Sequence, residues 1–292
     1  MPIKAVFVDM DGTLLNPNHE ISDYTADVLR RVKEKKIRFI VATGRPYGEV
    51  IATIRRCRLE PDYVITSNGG RIHDGSFNVV REHNIPVELA TQLVKMGNSS
   101  AASDAPETTD KAEGKLTNTK KKIVTNVYRH TEWLTDEDVP ELSGAMHKNL
   151  PCTDLGDRLY ELTPQDLVGV HQVWYYGETA DLVVLNDELT RAFGPQLCWT
   201  FSAPNMIDCG PVAVTKGNGV REVADVLGLA LEDVACFGDA MNDESMLQIA
   251  GKAYIMANAQ PSLKDAVEHG EVIESNANDG VAKKLEELFL AS

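Results

Sequence analysis

The chain has 292 residues, 43% of them hydrophobic and 25% charged, with a formal net charge of −15. This is the composition of a soluble globular protein long enough for two domains of ordinary size. The acidic balance argues against nucleic acid and anionic membrane as partners, but a metal and one or two local cations can still admit an anionic substrate to a cleft.

Met1-Pro2-Ile3-Lys4 leads into the apolar run Ala5–Val8 without a signal-peptide pattern, and no apolar run is long enough to span a bilayer. Ala5–Val8 reads as a buried parallel strand. Asp9 and Asp11 follow where it should end, and Gly12 lets the chain turn. Residues i and i+2 of a strand share a face, so both carboxylates can reach one site if the strand conformation persists. Two carboxylates that close repel, and a divalent cation or a shared proton relieves the repulsion.

Ser22 is a plausible N-cap for a helix to about Lys36, with Val28, Leu29 and Val32 facing a sheet. Arg38–Ala42 is a second strand, followed by Thr43-Gly44-Arg45-Pro46, where Pro46 suits the first turn of a helix. Thr43 then sits at a strand end beside free backbone N–H groups, a setting that suits a phosphate oxygen. Tyr63–Thr66 is a third strand, and Asp74-Gly75 marks a hairpin between Arg71–His73 and Phe77–Arg81. Strand–helix–strand–helix–strand order implies a doubly wound parallel sheet.

The pattern changes near Glu82. Pro86–Met96 reads as a helix. Gly97–Lys122 nearly lacks large apolar residues and is expected to be a flexible surface insertion. Strands at Ile123–Arg129, Val170–Tyr176 and Leu197–Phe201, with a helix at Ala180–Phe193, make an α+β module inserted into the first domain. The expected division is 1–84 with 209–292 for the α/β domain and 85–208 for the insertion. The alternating pattern returns after Gly210, with a helix from Lys216 to before Gly228. A strand at Val234–Phe237 runs into Gly238-Asp239-Ala240-Met241-Asn242-Asp243. A helix at Met246–Ala250, strands at Ala253–Met256 and Val272–Ile273, and helices near Ser262–Glu268 and Val281–Phe289 complete the chain. The cysteines Cys57, Cys152, Cys198, Cys209 and Cys236 are scattered without metal spacing, as suits packing residues in a reducing compartment. The cytosol is the expected location.

Four strand-end sites are expected to converge: Asp9 with Asp11, Thr43, Lys216, and Asp239 with Asn242 and Asp243. Oxygen ligands without His or Cys suit Mg²⁺ better than zinc. Lys at a helix N-terminus opposes the helix dipole, which favours a functional reason for Lys216. Together these groups suit phosphoryl transfer. Cations neutralise a phosphate monoester, Thr43 and backbone N–H groups hold its oxygens, one Asp attacks phosphorus and the other moves protons.

The sequence resembles the haloacid dehalogenase superfamily, and within it the Cof-like subclass IIB phosphatases with a large cap after the second motif. Asp9-Met10-Asp11-Gly12-Thr13, Thr43-Gly44-Arg45, Lys216-Gly217 and Gly238–Asp243 are similar to its four motifs, in order. The resemblance implies a Rossmann-like core with an inserted α+β cap domain. It implies Asp9 as nucleophile, Asp11 as acid/base, and phosphate contacts at Met10, Thr43, Gly44, Lys216 and Asn242. It further implies Mg²⁺ on the Asp9 and Asp239 carboxylates and the Asp11 carbonyl, with Asp243 orienting or supplementing that shell. The stretches Ile65–Asp74 and Thr125–Arg129 are similar to bacterial members that hydrolyse sugar phosphates and pyridoxal 5′-phosphate. The expected function is therefore a Mg²⁺-dependent phosphatase of small phosphorylated metabolites, acting as a monomer, with Arg45, Asn68, Tyr128, Arg129, Asn205 and Asp208 as candidates for specificity. A hexose-phosphate mutase and a non-catalytic metabolite-binding protein are the alternatives.

Overall fold

The computed structural model describes residues 2–99, 123–142 and 150–291. Two compact units divide the chain, one of Met1–His83 with Pro211–Ser292 and one of Asn84–Gly210.

The first unit begins β1 (Ala5–Val8), α1 (Asp23–Glu34), β2 (Arg38–Ala42), α2 (Tyr47–Arg56), β3 (Tyr63–Thr66), β4 (Arg71–Asp74) and β5 (Val79–Glu82). The second contains α3 (Val87–Ser99), β6 (Ile123–Arg129), β7 (Glu132–Thr135), β8 (Cys152–Asp154), β9 (Val170–Gly177), α4 (Thr179–Phe193), β10 (Leu197–Ala203) and β11 (Met206–Pro211). The first unit resumes with α5 (Lys216–Leu227), β12 (Val234–Gly238), α6 (Glu244–Ile249), β13 (Lys252–Met256), α7 (Pro261–Ala266), β14 (Glu271–Ile273) and α8 (Gly280–Phe289).

The first unit's sheet has the order β14-β13-β12-β1-β2-β3-β4-β5. β1 runs parallel between β2 and β12, with Ala5 beside Arg38 on one side and Val234 on the other. All four of its residues are fully buried. Their alternation feeds two cores: Val6 and Val8 pack with Val28, Leu29 and Leu285, whereas Ala5 and Phe7 pack with Val220 and Val223. Helices therefore cover both faces, as a continuous apolar strand requires, and each such side chain contributes on the order of 1.5–3 kcal/mol by burial. Only the β3–β4–β5 edge is antiparallel. The doubly wound core is thus a mixed sheet with a hairpin at one edge. Ser22 caps α1 by accepting the Thr25 N–H at 3.0 Å.

The second unit's sheet has the order β10-β11-β9-β6-β7-β8. β6 pairs antiparallel with β7 and β9, and β7 runs parallel to β8. One face carries Val127, Val173 and Tyr175 against Leu93, Leu182 and Leu185 of α3 and α4. The other carries Tyr128, Trp133 and Trp174.

The expected insertion at Gly97–Lys122 is corrected at its start. α3 continues through Gly97 to Ser99. Gly97 lies so close to β6 that a Cβ would sit 1.8 Å from Thr125 Oγ1, so this glycine marks a close helix–sheet approach and not a loop. The remainder of that segment lies outside the described residues. Strands β7, β8 and β11 were not anticipated; the first two are too short to show an alternation. Among the described residues, no helix is long and apolar enough to cross a membrane.

Candidate active site

β12, β1, β2 and β3 are parallel neighbours. The residues that follow their last positions are Asp239, Asp9, Thr43 and Ser67. Parallel pairing thus sets four polar residues along one edge of the sheet, the carboxyl edge at which α/β folds bind ligands.

Asp9 is buried, and its Oδ1 accepts Lys216 Nζ at 2.6 Å. The same ammonium donates to Asp243 Oδ1 at 2.6 Å. Lys216 is the first residue of α5 and is 1% exposed. Its position is set by Thr215, which caps α5 by accepting the Asn218 N–H, and by Gly69, where a Cβ would lie 2.8 Å from the Thr215 carbonyl oxygen. Burial works against the Lys216 charge, but the Asp243 and Asp9 carboxylates outweigh it and hold the ammonium above the ordinary lysine range.

Asp243 also accepts the backbone N–H groups of Asp239 and Ala240 through Oδ2, at 2.9 and 3.0 Å. Asp239 accepts the Thr13 hydroxyl at 2.7 Å. Carboxylate oxygens of Asp9, Asp239 and Asp243 all lie within 4.8 Å of one another. Burial first, then the Asp243 charge, pushes Asp239 up to about 6. Burial also raises Asp9; Lys216 pulls it down, and the carboxylates of Asp243, Asp239 and Asp11 push it up again. Three carboxylates share one ammonium, so the cluster carries more negative charge than its own residues neutralise.

Asp11 follows a different course. The assigned strand ends at Val8, but Asp9 and Asp11 keep extended backbone (φ −66°, ψ 159° and φ −82°, ψ 123°), and Gly12 takes φ +78°. Asp11 thus lies beyond the last assigned residue of β1, and its charge still acts on Asp9. The Asp11 carboxylate is half-exposed and gripped by Arg45, Nε to Oδ2 at 2.6 Å and Nη2 to Oδ1 at 2.5 Å. Gly12 is required by its neighbour as well as by φ, since a Cβ would stand 2.3 Å from Asp239 Oδ2.

Thr43 is buried, and its hydroxyl accepts the Arg45 N–H at 3.1 Å. Gly44 faces Asn68 and Asn242, and Asn242 Nδ2 donates to Asn68 Oδ1 at 3.0 Å. Ser67 and Asn68 hold positive φ, 48° and 55°, at the end of β3, a backbone strain of the kind that collects at functional turns. The Met10 side chain is fully buried in the core, leaving its backbone as the part that can face the site. Tyr128, Arg129, Asn205 and Asp208 belong to the second unit. Tyr128 packs on Trp174 and Trp133, and Arg129 pairs with Glu132 at 2.6 Å. Asp208 lies opposite Trp174 in the ladder, and the Asn205 carbonyl accepts the Gly177 N–H. Sequence reasoning gave Thr13 no role of its own, although it follows Gly12 directly. It also missed Asn258, whose Nδ2 donates to the Gly12 carbonyl at 2.7 Å.

A family model described as haloacid dehalogenase-like hydrolase matches residues 6–285. The chain belongs to this family. The resemblance carried by the four motifs is thereby borne out. This haloacid dehalogenase-like hydrolase is 32% identical to an HMP-PP phosphatase of an Enterobacter species, over 94% of its length and 91% of the relative's. It is 31% identical to a protein of Haemophilus influenzae, over 99% and 98% of the two chains. Its fold matches the crystal structure of a haloacid dehalogenase-like hydrolase from Bacteroides thetaiotaomicron with a TM-score of 0.79, 24% identity, and coverage of 98% and 100%. The all-oxygen donor set and its excess negative charge fit a hard divalent cation.

Proposed function

We propose that the chain is a Mg²⁺-dependent phosphatase of small phosphorylated metabolites, with sugar phosphates and pyridoxal 5′-phosphate as the first substrates to try. One observation carries this reading: Lys216 is locked between Asp9 and Asp243 while Asp239 leaves the cluster one cation short. A relative named HMP-PP phosphatase supports a phosphorylated substrate.

In this reading Asp9 is the nucleophile. Its carboxylate oxygen forms a bond to phosphorus as the ester P–O bond breaks, giving an aspartyl phosphate. Asp11 gives its proton to the departing oxygen. A water then attacks phosphorus, Asp11 takes the water's proton, and inorganic phosphate leaves with Asp9 restored. Lys216 orients Asp9 and offsets charge on the phosphoryl oxygens, and the Thr43 hydroxyl, the backbone of Met10 and Gly44, and Asn242 hold those oxygens. Asp9, Asp239 and the Asp11 carbonyl would hold Mg²⁺, with Asp243 fixing the loop beneath. Bound there, it would supply Lewis-acid charge neutralisation. The second unit is assigned the role of a cap that selects the substrate, through Tyr128, Arg129, Asn205 and Asp208, with Arg45 and Asn68 from the core.

The test is phosphate release from hexose 6-phosphates, pyridoxal 5′-phosphate, glycerol phosphates and nucleotides, with and without Mg²⁺, for wild type and Asp9→Asn. Mg²⁺-dependent release lost in the variant supports the reading. Equal trace release by both proteins rejects it.

A further inference from the structure

Arg45 has two carboxylate partners, and only one of them lies in the motifs. Its Nε and Nη2 edge faces Asp11, as described above, and its Nη1 lies 3.5 Å from Glu49 Oε2. Glu49 stands in the first turn of α2, four residues after Arg45, and its side chain is 3% exposed. Glutamate is almost never so buried without a reason. Stability supplies a weak one, because a buried ion pair is often replaced by apolar residues at no net loss. The first turn of a helix favours an anion, but a half-exposed carboxylate would serve there equally well.

The geometry of Asp11 supplies a better reason. Asp11 stands beside Gly12 in a turn, with its carboxylate half in solvent. Besides Arg45, it has His19 Nδ1 at 3.5 Å, from a side chain that is 72% exposed. Its orientation therefore depends on the Arg45 plane. A guanidinium is a rigid planar fork, so a second anion on its remaining nitrogen fixes the rotation of that plane. Glu49 is such an anion, and burial in α2 keeps it immobile.

We propose that Glu49 is a positioning residue that acts through Arg45 to hold the Asp11 carboxylate in place for proton delivery to the leaving oxygen. The proposal rests on the phosphatase reading and adds a residue that none of the four motifs contains.

Leaving-group dependence tests it. An alkyl phosphate needs its departing alkoxide protonated, whereas 4-nitrophenolate leaves unaided. Glu49→Leu removes the acceptor at similar volume, and Glu49→Gln keeps the shape and can still accept an Arg45 N–H. For an alkyl phosphate, Glu49→Leu is expected to lower kcat/KM by roughly tenfold, part of the range that a general acid supplies; kcat/KM reports the steps up to departure of the alcohol and leaves out the aspartyl-phosphate hydrolysis that all esters share. For 4-nitrophenyl phosphate kcat/KM should change by less than about twofold, which also certifies that the variant folds. Glu49→Gln should recover most of the alkyl-phosphate activity. Equal loss of kcat/KM on both esters, or no loss on either, overturns the proposal. Should Glu49→Leu fail to fold, Glu49→Met takes its place, and equal loss of kcat/KM on the two esters, or no loss on either, overturns the proposal in the same way. Asp9→Asn must be inactive on both esters throughout. A wild-type protein that hydrolyses neither ester fails the phosphatase reading itself and takes this one with it.

Discussion

Asp243 accepts the backbone N–H of Asp239 at 2.9 Å, so one carboxylate of the cluster builds the loop that carries another. The two should respond oppositely to substitution. Asp243→Ala leaves two backbone N–H groups without their acceptor and Lys216 with half its partners. A loss of about 3 kcal/mol or more is expected in urea unfolding. Asp239→Asn keeps an acceptor for Thr13 and removes one of three crowded charges. In the absence of divalent cations it should match or exceed wild type in thermal stability, and on the proposed Mg²⁺ reading it should show less Mg²⁺-dependent stabilisation than wild type. Equal destabilisation by the two variants contradicts this division of labour.

The raised Asp239 sets a pH dependence. The folded protein holds the Asp239 proton up to about pH 6, whereas the unfolded chain releases it near the ordinary 3.8. Stability from this group is therefore present at low pH and declines as pH rises between these values. Asp9 is shifted in the same direction. Asp74 and Asp166 are lowered by hydrogen bonds from Asn78 and Thr163, so their opposite contributions fall below that window. Protons and a divalent cation compete for the same oxygens, so the Mg²⁺-induced rise in melting temperature should grow as pH passes through 6. Thermal unfolding at pH 5 and pH 8, with and without Mg²⁺, checks this. A shift that shrinks with pH removes Asp239 from the cation site.

Asp9 and Lys216 separate chemistry from charge balance. Asp9→Asn retains a group of the same shape and should lower kcat by about 10⁴-fold or more, as loss of a nucleophile does. Lys216→Met leaves Asp9 and Asp243 buried without their cation. It should cost about 3–5 kcal/mol of stability and about 10²–10³ in kcat. Chemical denaturation and steady-state rates of the two variants give both quantities, and a Lys216→Met protein of wild-type stability would contradict the charge accounting.

Gly12→Ala tests the closeness of the turn. Its Cβ would stand 2.3 Å from Asp239 Oδ2 at a φ of +78°. The left-handed conformation alone costs about 1–2 kcal/mol, and the collision displaces Asp239. Activity should fall further than stability, with a weaker response to Mg²⁺ in titration. Unchanged Mg²⁺ dependence would show that the contact is slack.

The strand ends were legible because a short apolar run followed by Asp, Thr-Gly or Gly-Asp has one reading in an alternating α/β chain. Lys216 was legible through its conflict with the α5 dipole. The grip of Arg45 on Asp11 was not, because alternation along a strand does not reveal a partner that arrives from another strand end. Glu49 carries no signal in the sequence, since its burial depends on the packing of α2 and its proposed role on a neighbour in space. Gly97 was misread for a related reason: its meaning lies in Thr125, nearly thirty residues on.

The placement of β1 between β2 and β12 has a consequence for how the chain comes to be folded. During synthesis its first neighbour emerges soon after it, but its second is made only after the whole second unit. Until Val234–Gly238 leaves the ribosome, Ala5–Val8 is an open apolar edge, the kind of surface that recruits foreign strands. The same delay keeps Asp9 from Lys216 and Asp239. Truncated products that stop before residue 234 of the 292 should therefore aggregate and lack the cation cluster, and this edge needs protection until β12 has been made.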